Sequence, residues 1–195
     1  MKCCEFFSSI PEGQKPCKVL QTKTEDEQVA WESQVASVHS PGPVSTEEIL
    51  ARQVVDPTHF DNVTGTIKPT FFDDASSIGA SCHRLSHTTP EAIQEIAIAR
   101  VSAVNQNPPP SGPRQAIGYA YIAVEEVRAI QSEISDGQSR RGAGVYDTAK
   151  HDDASHADIC QLVSGTQKGK SIRAQLWEQA KNNLVRFSVP EALTE

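Results

Sequence analysis

The densest cluster of side chains that could do chemistry lies between Asp147 and Cys160, where two imidazoles, four carboxylates and one thiol fall within 14 residues. Imidazole suits zinc, iron, nickel and copper, and carboxylates suit magnesium, calcium and manganese. His156 and Asp158 would share one face of a strand, because strand side chains alternate with a period of two. If His151 swings in from the preceding loop, the three could hold a divalent metal with one position open for water.

Two interpretations of this cluster remain open. In the first, it is the site of a metal-assisted hydrolase or phosphodiesterase: His151, His156 and Asp158 bind the metal, and Asp152 or Asp153 acts as the base. In the second, it is a solvated acidic turn ahead of a strand. The second is favoured because the spacing matches no established metal motif such as H-E-x-x-H or C-x-x-C.

A second cluster, Ser81-Cys82-His83-Arg84, contains a thiol, an imidazole and a guanidinium. Neighbouring residues on a strand point to opposite faces, so Cys82 and His83 are not expected to be partners. We expect Cys82 to be buried, because a free cysteine behaves as a small hydrophobic residue. His83 and Arg84 are predicted binding residues, and Arg84 is also a catalytic candidate.

Charge limits the classes of partner. The net charge of −7 excludes a general attraction to nucleic acid or to an anionic membrane. Positive charge is concentrated near the end of the chain, where five basic residues face one glutamate: Lys168, Lys170, Arg173, Lys181 and Arg186 against Glu178. The last predicted helix is therefore the one surface expected to contact phosphate or nucleic acid, with Lys170 and Arg173 as its binding residues.

The five cysteines and the N-terminus indicate a compartment. Cys3, Cys4 and Cys17 could bind zinc with His39, although adjacent cysteines give poor geometry for a structural zinc site. An odd, uneven set of cysteines does not resemble a secreted disulfide framework. The first residues contain no apolar signal region, and no stretch reaches the ~18 apolar residues of a membrane span. These observations predict a cytoplasmic protein with reduced thiols and no membrane contact.

The pattern of elements predicts an α+β fold, with a mixed α/β arrangement as the alternative. Residues 1–40 are polar with little periodicity, and we expect them to form a less ordered arm. Residues 45–187 are predicted to form a single compact domain in which helices flank a small sheet. A capping box at Ser45–Glu48 predicts one helix start, and Thr89-Pro90 followed by apolar residues at helical spacing predicts another.

Three segments together resemble a loosely defined group of small bacterial proteins. They are Lys68–Asp74 (KPTFFDD), Gly79–Arg84 (GASCHR), and the stretch from Tyr146-Asp147 to Ser155–Ile159 (SHADI). In that group an aromatic and acidic segment precedes an S-x-x-R strand, and an aspartate later precedes an H-A-x-[IV] strand. The resemblance implies a bacterial origin and a shared domain over about residues 57–165, but no reaction. Cys82 departs from the pattern, in which valine is usual.

Three functions follow as hypotheses. The leading one is a non-catalytic accessory or interaction protein whose N-terminal arm orders on a protein partner, since a polar arm and a proline-rich connector are typical of such proteins. The metal-assisted hydrolase is the first alternative. The second is a toxin-like domain that handles a nucleotide or ADP-ribose through Arg84, Tyr146 and His156. A fold class alone would not distinguish them.

Overall fold

The computed structural model describes residues 1–135 and 138–188. Its helices are α1 (Cys3–Ser9), α2 (Pro16–Leu20), α3 (Glu25–Glu32), a 3₁₀ helix (Pro69–Ser76), α4 (Pro90–Asn105), α5 (Val124–Ala129) and α6 (Thr166–Ala180). Its strands are β1 (Ile49–Asp56), β2 (Phe60–Asp61), β3 (Thr66–Ile67), β4 (Ala80–Arg84), β5 (Gln115–Ala123), β6 (Gln131–Ser135), β7 (Gln138–Arg141), β8 (Ala143–Tyr146), β9 (His156–Gln161) and β10 (Leu184–Arg186).

Six of these strands form one antiparallel sheet in the order β10-β5-β1-β4-β9-β8, and the other four form two small hairpins. The alternation of strand side chains gives the sheet two faces. On one face, Leu50, Val54 and Cys82 pack with Phe71 and Phe72 in the main core, which α5 and α6 complete. The predicted α+β fold is therefore confirmed, with helices on a central sheet.

The opposite face of the sheet is covered in two places. At the β5 side, Ile93 of α4 packs on Ala51 and Tyr119. At the β8 side, helices α1, α2 and α3 form an N-terminal layer. This layer packs on β8, on β9 and on Leu162, the residue after β9. Its buried side chains are Cys3, Phe6, Cys17, Leu20 and Trp31, and they pack with Tyr146, Cys160 and Leu162.

The N-terminal layer replaces the less ordered arm that the sequence predicts for residues 1–40. Glu32 of α3 joins it to the sheet by accepting hydrogen bonds from the backbone nitrogen of Val145 at 2.8 Å and from Nε of Arg128 at 2.9 Å. Gln28 donates to the carbonyl of Leu162 at 3.0 Å. The apolar side chains of this layer are spread over three short helices, so no single helix carries a readable period.

Local patterns predicted several elements and failed for others. Helix α4 begins as predicted, with the Thr89 side chain accepting from the backbone of Ala92. The helix predicted after Ser45 is wrong: Ser45 and Glu48 form a turn, in which the Ser45 nitrogen donates to Glu48 Oε1 at 2.7 Å, and strand β1 follows. The capping pattern stabilises a turn as well as a helix start, because the same backbone donor is satisfied in both.

No helix within the described ranges has the length and apolar character needed to cross a membrane.

Candidate functional site

Five polar residues lie between α4 and the N-terminal layer, on the face of the sheet that those two elements cover. They form a polar strip: Gln53, Ser81, His83, His156 and Asp158. Strand register places them together, because His83 pairs with His156 and Ser81 pairs with Asp158 across β4 and β9. Gln53, His83 and His156 are buried. Buried polar side chains need partners, so the strip is organised by hydrogen bonds.

His83 is held on both ring nitrogens. Its Nδ1 lies 3.2 Å from Oδ2 of Asp153, and its Nε2 lies 3.0 Å from Nε2 of Gln53. Gln53 Oε1 in turn accepts from Nη1 of Arg100 at 3.4 Å. The amide nitrogen of Gln53 therefore donates to His83 Nε2, and His83 donates from Nδ1 to Asp153, an assignment made from the network. The chain of contacts runs from Asp153 to the surface guanidinium of Arg100.

The surroundings of Asp153 favour the ionised form of its carboxyl group. Burial alone would raise the pKa of its carboxyl group, but hydrogen bonds from His83 and Ser155 outweigh burial and hold the pKa well below its usual range. Ser155 donates to Asp153 Oδ1 at 2.6 Å. Asp153 is therefore the anchor of the His83 contacts, whereas its neighbour Asp152 is exposed.

His156 and Asp158 meet through Thr148. The Thr148 hydroxyl donates to Asp158 Oδ2 at 2.7 Å and lies 3.0 Å from His156 Nδ1. Burial lowers the pKa of His156, and the nearby carboxylate of Asp158 opposes that shift. Nε2 of His156 is buried and has no hydrogen-bond partner among the described residues. Thr148 therefore links Nδ1 of His156 to Asp158, whereas Nε2 of His156 takes no part in these contacts.

Next to the strip, β1 and β4 separate and leave a pocket. The two strands pair only at Leu50 with Arg84 and at Ala51 with His83. Beyond these pairs the side chain of Arg52 replaces the strand contact, because its Nη1 donates to the carbonyl of Ser81 at 3.0 Å. The cavity at this separation has a volume of about 290 Å³.

Three guanidinium groups dominate the cavity, which we call the arginine pocket. Its charged and titratable lining residues are Arg52, His59, Asp74, Arg100 and Arg114. Arg52 is neutralised by Asp74, which lies 2.7 Å from its Nη2. Within the described ranges, neither Arg100 nor Arg114 has a carboxylate within ion-pair distance. Nε of Arg114 is buried without a hydrogen-bond partner in the same part of the chain.

His59 adds no charge to this pocket near neutral pH. Burial lowers the pKa of its imidazole to about 3, and the positive charges of Arg52 and Arg114 act in the same direction. Three guanidiniums and one carboxylate give the lining a formal charge of +2 in a protein of net charge −7. His59 Nδ1 is buried and has no hydrogen-bond partner among the described residues.

The predicted metal ligands do not come together. His156 and Asp158 lie in the polar strip, whereas His151 is exposed and its ring packs 5.4 Å from that of His39. The described residues contain no group of three histidine, cysteine or acidic side chains able to hold a metal ion. The structure therefore does not support a metal site at His151, His156 and Asp158, and the same finding applies to the N-terminal cysteines with His39.

Two predicted binding residues make internal contacts. Arg84 is 2% exposed, and its Nη2 lies 2.7 Å from Oε1 of Glu48. It also donates to the carbonyl of Gly42 at 2.7 Å. The Tyr146 hydroxyl is buried and donates to the carbonyl of Gln28 at 3.0 Å. Arg84 joins the segment before β1 to β4, Tyr146 joins α3 to β8, and neither lines the arginine pocket.

The remaining predicted binding and catalytic residues lie either at the surface or next to the polar strip. Lys170 is exposed on α6, and Arg173 forms an ion pair with Asp73 at 3.1 Å. Of the catalytic candidates, Asp153 contacts His83, which is also a predicted binding residue. The arginine pocket itself was missed. Its residues come from β1, β4, the 3₁₀ helix, α4 and the segments that follow β1, the 3₁₀ helix and α4, and no short motif joins them.

A comparison of the chain with protein-family models, with curated proteins and with solved structures gives no match. The resemblance to small bacterial proteins stays a prediction. Function is therefore inferred from the chemistry of the site, because the same fold can support many functions.

Proposed function

We propose that the protein binds a small anion, of the phosphate monoester class, in the arginine pocket without transforming it. The supporting observation is the pair formed by Arg100 and Arg114, which face one cavity with no carboxylate partner among the described residues. Guanidinium groups match phosphate oxygens in geometry and can donate two hydrogen bonds to them. A lining charge of +2 complements a phosphate dianion.

The size of the pocket limits the ligand. A volume of about 290 Å³ is at the lower end for small-molecule sites. A phosphate group with a small sugar or acyl body fits that volume better than a dinucleotide or a polymer. Arg100 is exposed, whereas Arg52 is buried against Phe71 and Phe72. The exposed guanidinium would meet the ligand first, and the buried one sets the positive potential around it.

The contacts of His83 favour a supporting role over a catalytic one for this residue. A histidine base needs one ring nitrogen directed at its substrate, but Asp153 and Gln53 occupy both nitrogens of His83. The contact from Gln53 to Arg100 makes the strip a support for the pocket. The predicted non-catalytic role is kept, but the binding partner becomes a small anion in place of a protein. Residues 1–40, which were expected to fold on a protein partner, already pack on the sheet.

Isothermal titration of the full chain tests the proposal, with ribose 5-phosphate, inorganic phosphate and ribose as the three ligands. We expect ribose 5-phosphate to bind most tightly, inorganic phosphate more weakly and ribose not at all. Binding should weaken as sodium chloride is raised, because the attraction is electrostatic. Equal binding of ribose and ribose 5-phosphate, or no heat with either phosphate, would overturn the proposal. Release of phosphate from ribose 5-phosphate would refute the non-catalytic part.

A further inference from the structure

Two thiols from distant parts of the chain touch beneath the N-terminal layer. Sγ of Cys17 in α2 lies 2.8 Å from Sγ of Cys160 in β9, across 143 positions of sequence. Both side chains are buried, with 0% and 1% exposure. A disulfide bond is about 2.05 Å long, so closing this contact requires a movement of about 0.8 Å. We propose that Cys17 and Cys160 are a site of disulfide formation that fastens the N-terminal layer to the sheet.

The backbone on both sides of the thiol pair is already fixed. The nitrogen of Cys17 donates to the carbonyl of Ser77 at 2.9 Å. Gln21, one turn further along, donates from its amide to the carbonyl of Gln161 at 3.2 Å, next to Cys160. A disulfide forms without strain only where the backbone already holds its cysteines at bonding distance. These contacts hold the two cysteines opposite each other before any bond is made.

The other cysteines lack this arrangement. Cys82 is buried in the main core on the opposite face of the sheet, where its thiol donates to the carbonyl of Ala80 at 3.3 Å. Cys3 shares the cluster of Cys17 and Cys160, but among the described residues its thiol forms no hydrogen bond with either of them. Cys4 is half-buried at the surface of α1. The structure thus selects one pair of the five thiols.

The reaction needs an external oxidant, and a small disulfide such as oxidised glutathione supplies it. One cysteine thiolate attacks the glutathione disulfide, which forms a mixed disulfide and releases one glutathione thiolate. The second cysteine thiolate then attacks the protein sulfur of the mixed disulfide and displaces the second glutathione. The two protein thiols lose two electrons and two protons, which end on two molecules of reduced glutathione.

Burial makes this oxidation slow in the packed protein. The contact with Cys17 raises the pKa of the Cys160 thiol, and burial raises it further, so the reactive thiolate is scarce. The oxidant reaches the pair when α2, a helix of five residues, separates from the sheet. Once formed, the bond closes a loop of more than 140 residues and restricts the unfolded chain.

Peptide mapping of the full chain tests the proposal. The protein is equilibrated with oxidised and reduced glutathione, unfolded, alkylated with iodoacetamide and digested. We expect two of the five thiols to escape alkylation and the Cys17 peptide to be joined to the Cys160 peptide. Alkylation of all five thiols, or a bond that uses Cys3, Cys4 or Cys82, or a bond between two chains, would overturn it.

Thermal denaturation gives a second readout. The oxidised protein should unfold about 5–15 °C above the protein kept in dithiothreitol, because the bond restricts the unfolded chain. Cys160→Ala should abolish that difference. Cys82→Ala, which also removes a buried thiol, should retain it, whatever its own melting temperature. If Cys160→Ala does not fold, the wild-type peptide map still decides the question.

Discussion

Asp74 accepts two hydrogen bonds from Nη2 of Arg52, at 2.9 and 2.7 Å, beside the arginine pocket. The Arg52 side chain is 5% exposed and that of Asp74 is 32% exposed. Arg52 also donates from Nε to the carbonyl of Phe71 at 3.0 Å. The pair lines the cavity where β1 and β4 separate and cancels one of the three guanidinium charges. The charges that remain for a ligand are those of Arg100 and Arg114.

Removal of the Asp74 carboxylate should destabilise the protein. Asp74→Asn leaves the buried guanidinium of Arg52 without its counter-charge, and breaking a buried pair costs about 3–5 kcal/mol, less where one partner is partly exposed. We expect a loss of about 2–3 kcal/mol in the free energy of unfolding, measured with urea. Asp73→Asn is the matched control. Its carboxylate is 59% exposed and pairs with Arg173 at the surface, so it should cost under about 1 kcal/mol. Equal losses would contradict the role of Asp74.

His59 should make stability fall in mild acid. Its pKa is lowered to about 3 in the folded protein, below the ordinary value of 6.5, so the unfolded chain binds the proton more readily. Its contribution is present above pH 6.5 and is lost as the pH falls through 6.5 towards 3. His59→Gln should flatten the fall of the urea midpoint in this range. His87→Gln, at an exposed histidine, should leave the slope unchanged. An identical slope in wild type and His59→Gln would refute the assignment.

Glycine should be required at position 79 so that the backbone can pack closely against Asp158 of the polar strip. Its φ is +99°, a conformation that side chains disfavour, and an added Cβ would lie 2.9 Å from the Cβ of Asp158. Gly79→Ala should cost more than about 2 kcal/mol, since strain at such a φ and overpacking each cost about 1–3 kcal/mol. Gly13 has a φ of +84° with nothing within 4 Å of an added Cβ, so Gly13→Ala carries the conformational cost alone. Equal destabilisation by the two variants, measured with urea, would contradict close packing against Asp158.

Gln53 should position Arg100 for ligand binding. Gln53→Leu keeps a side chain of similar size but removes the acceptor of the Arg100 contact and the donor to His83. We expect the dissociation constant for ribose 5-phosphate to rise about 3- to 10-fold, as for loss of a hydrogen bond worth about 0.5–1.5 kcal/mol. The salt dependence of binding should stay unchanged, because no charge is lost. Unaltered affinity in a folded variant would show that the strip does not support the pocket.

Local signals predicted the elements whose ends and faces are encoded within a few residues. Helix α4 has its N-cap Thr89, a proline in the first turn and one buried apolar face, and it forms where expected. The segment Ala157–Val163, predicted as a strand, contains most of β9, because a short and largely apolar run favours a buried strand. The helix predicted to begin at Ser45–Glu48 does not form, because a turn satisfies the same backbone donors as a helix start.

The candidate site depended on strand register, which one sequence does not reveal. His83 and His156 were both noted, but their pairing across β4 and β9 is set by tertiary packing. Arg100 and Arg114 lie on either side of the proline-rich connector, in segments that carry no motif. Their convergence on Arg52 follows from the packing of α4 on β1 and β5. The local signal of a buried polar site is the presence of two polar residues, Arg52 and Gln53, within the apolar run Ile49–Asp56.

The affinity of Arg114→Gln for ribose 5-phosphate, compared with that of Lys170→Gln, tests the central claim most directly. Each variant removes one positive charge, but Arg114 lines the pocket and Lys170 is exposed on α6. Titration calorimetry should show a dissociation constant about 10- to 100-fold higher for Arg114→Gln, since hydrogen bonds to charged groups contribute about 1.5–3 kcal/mol. Lys170→Gln should stay within about twofold of wild type, because exposed charges at a distance are screened. A loss of affinity confined to Lys170→Gln, or equal in the two variants, would contradict binding in the arginine pocket.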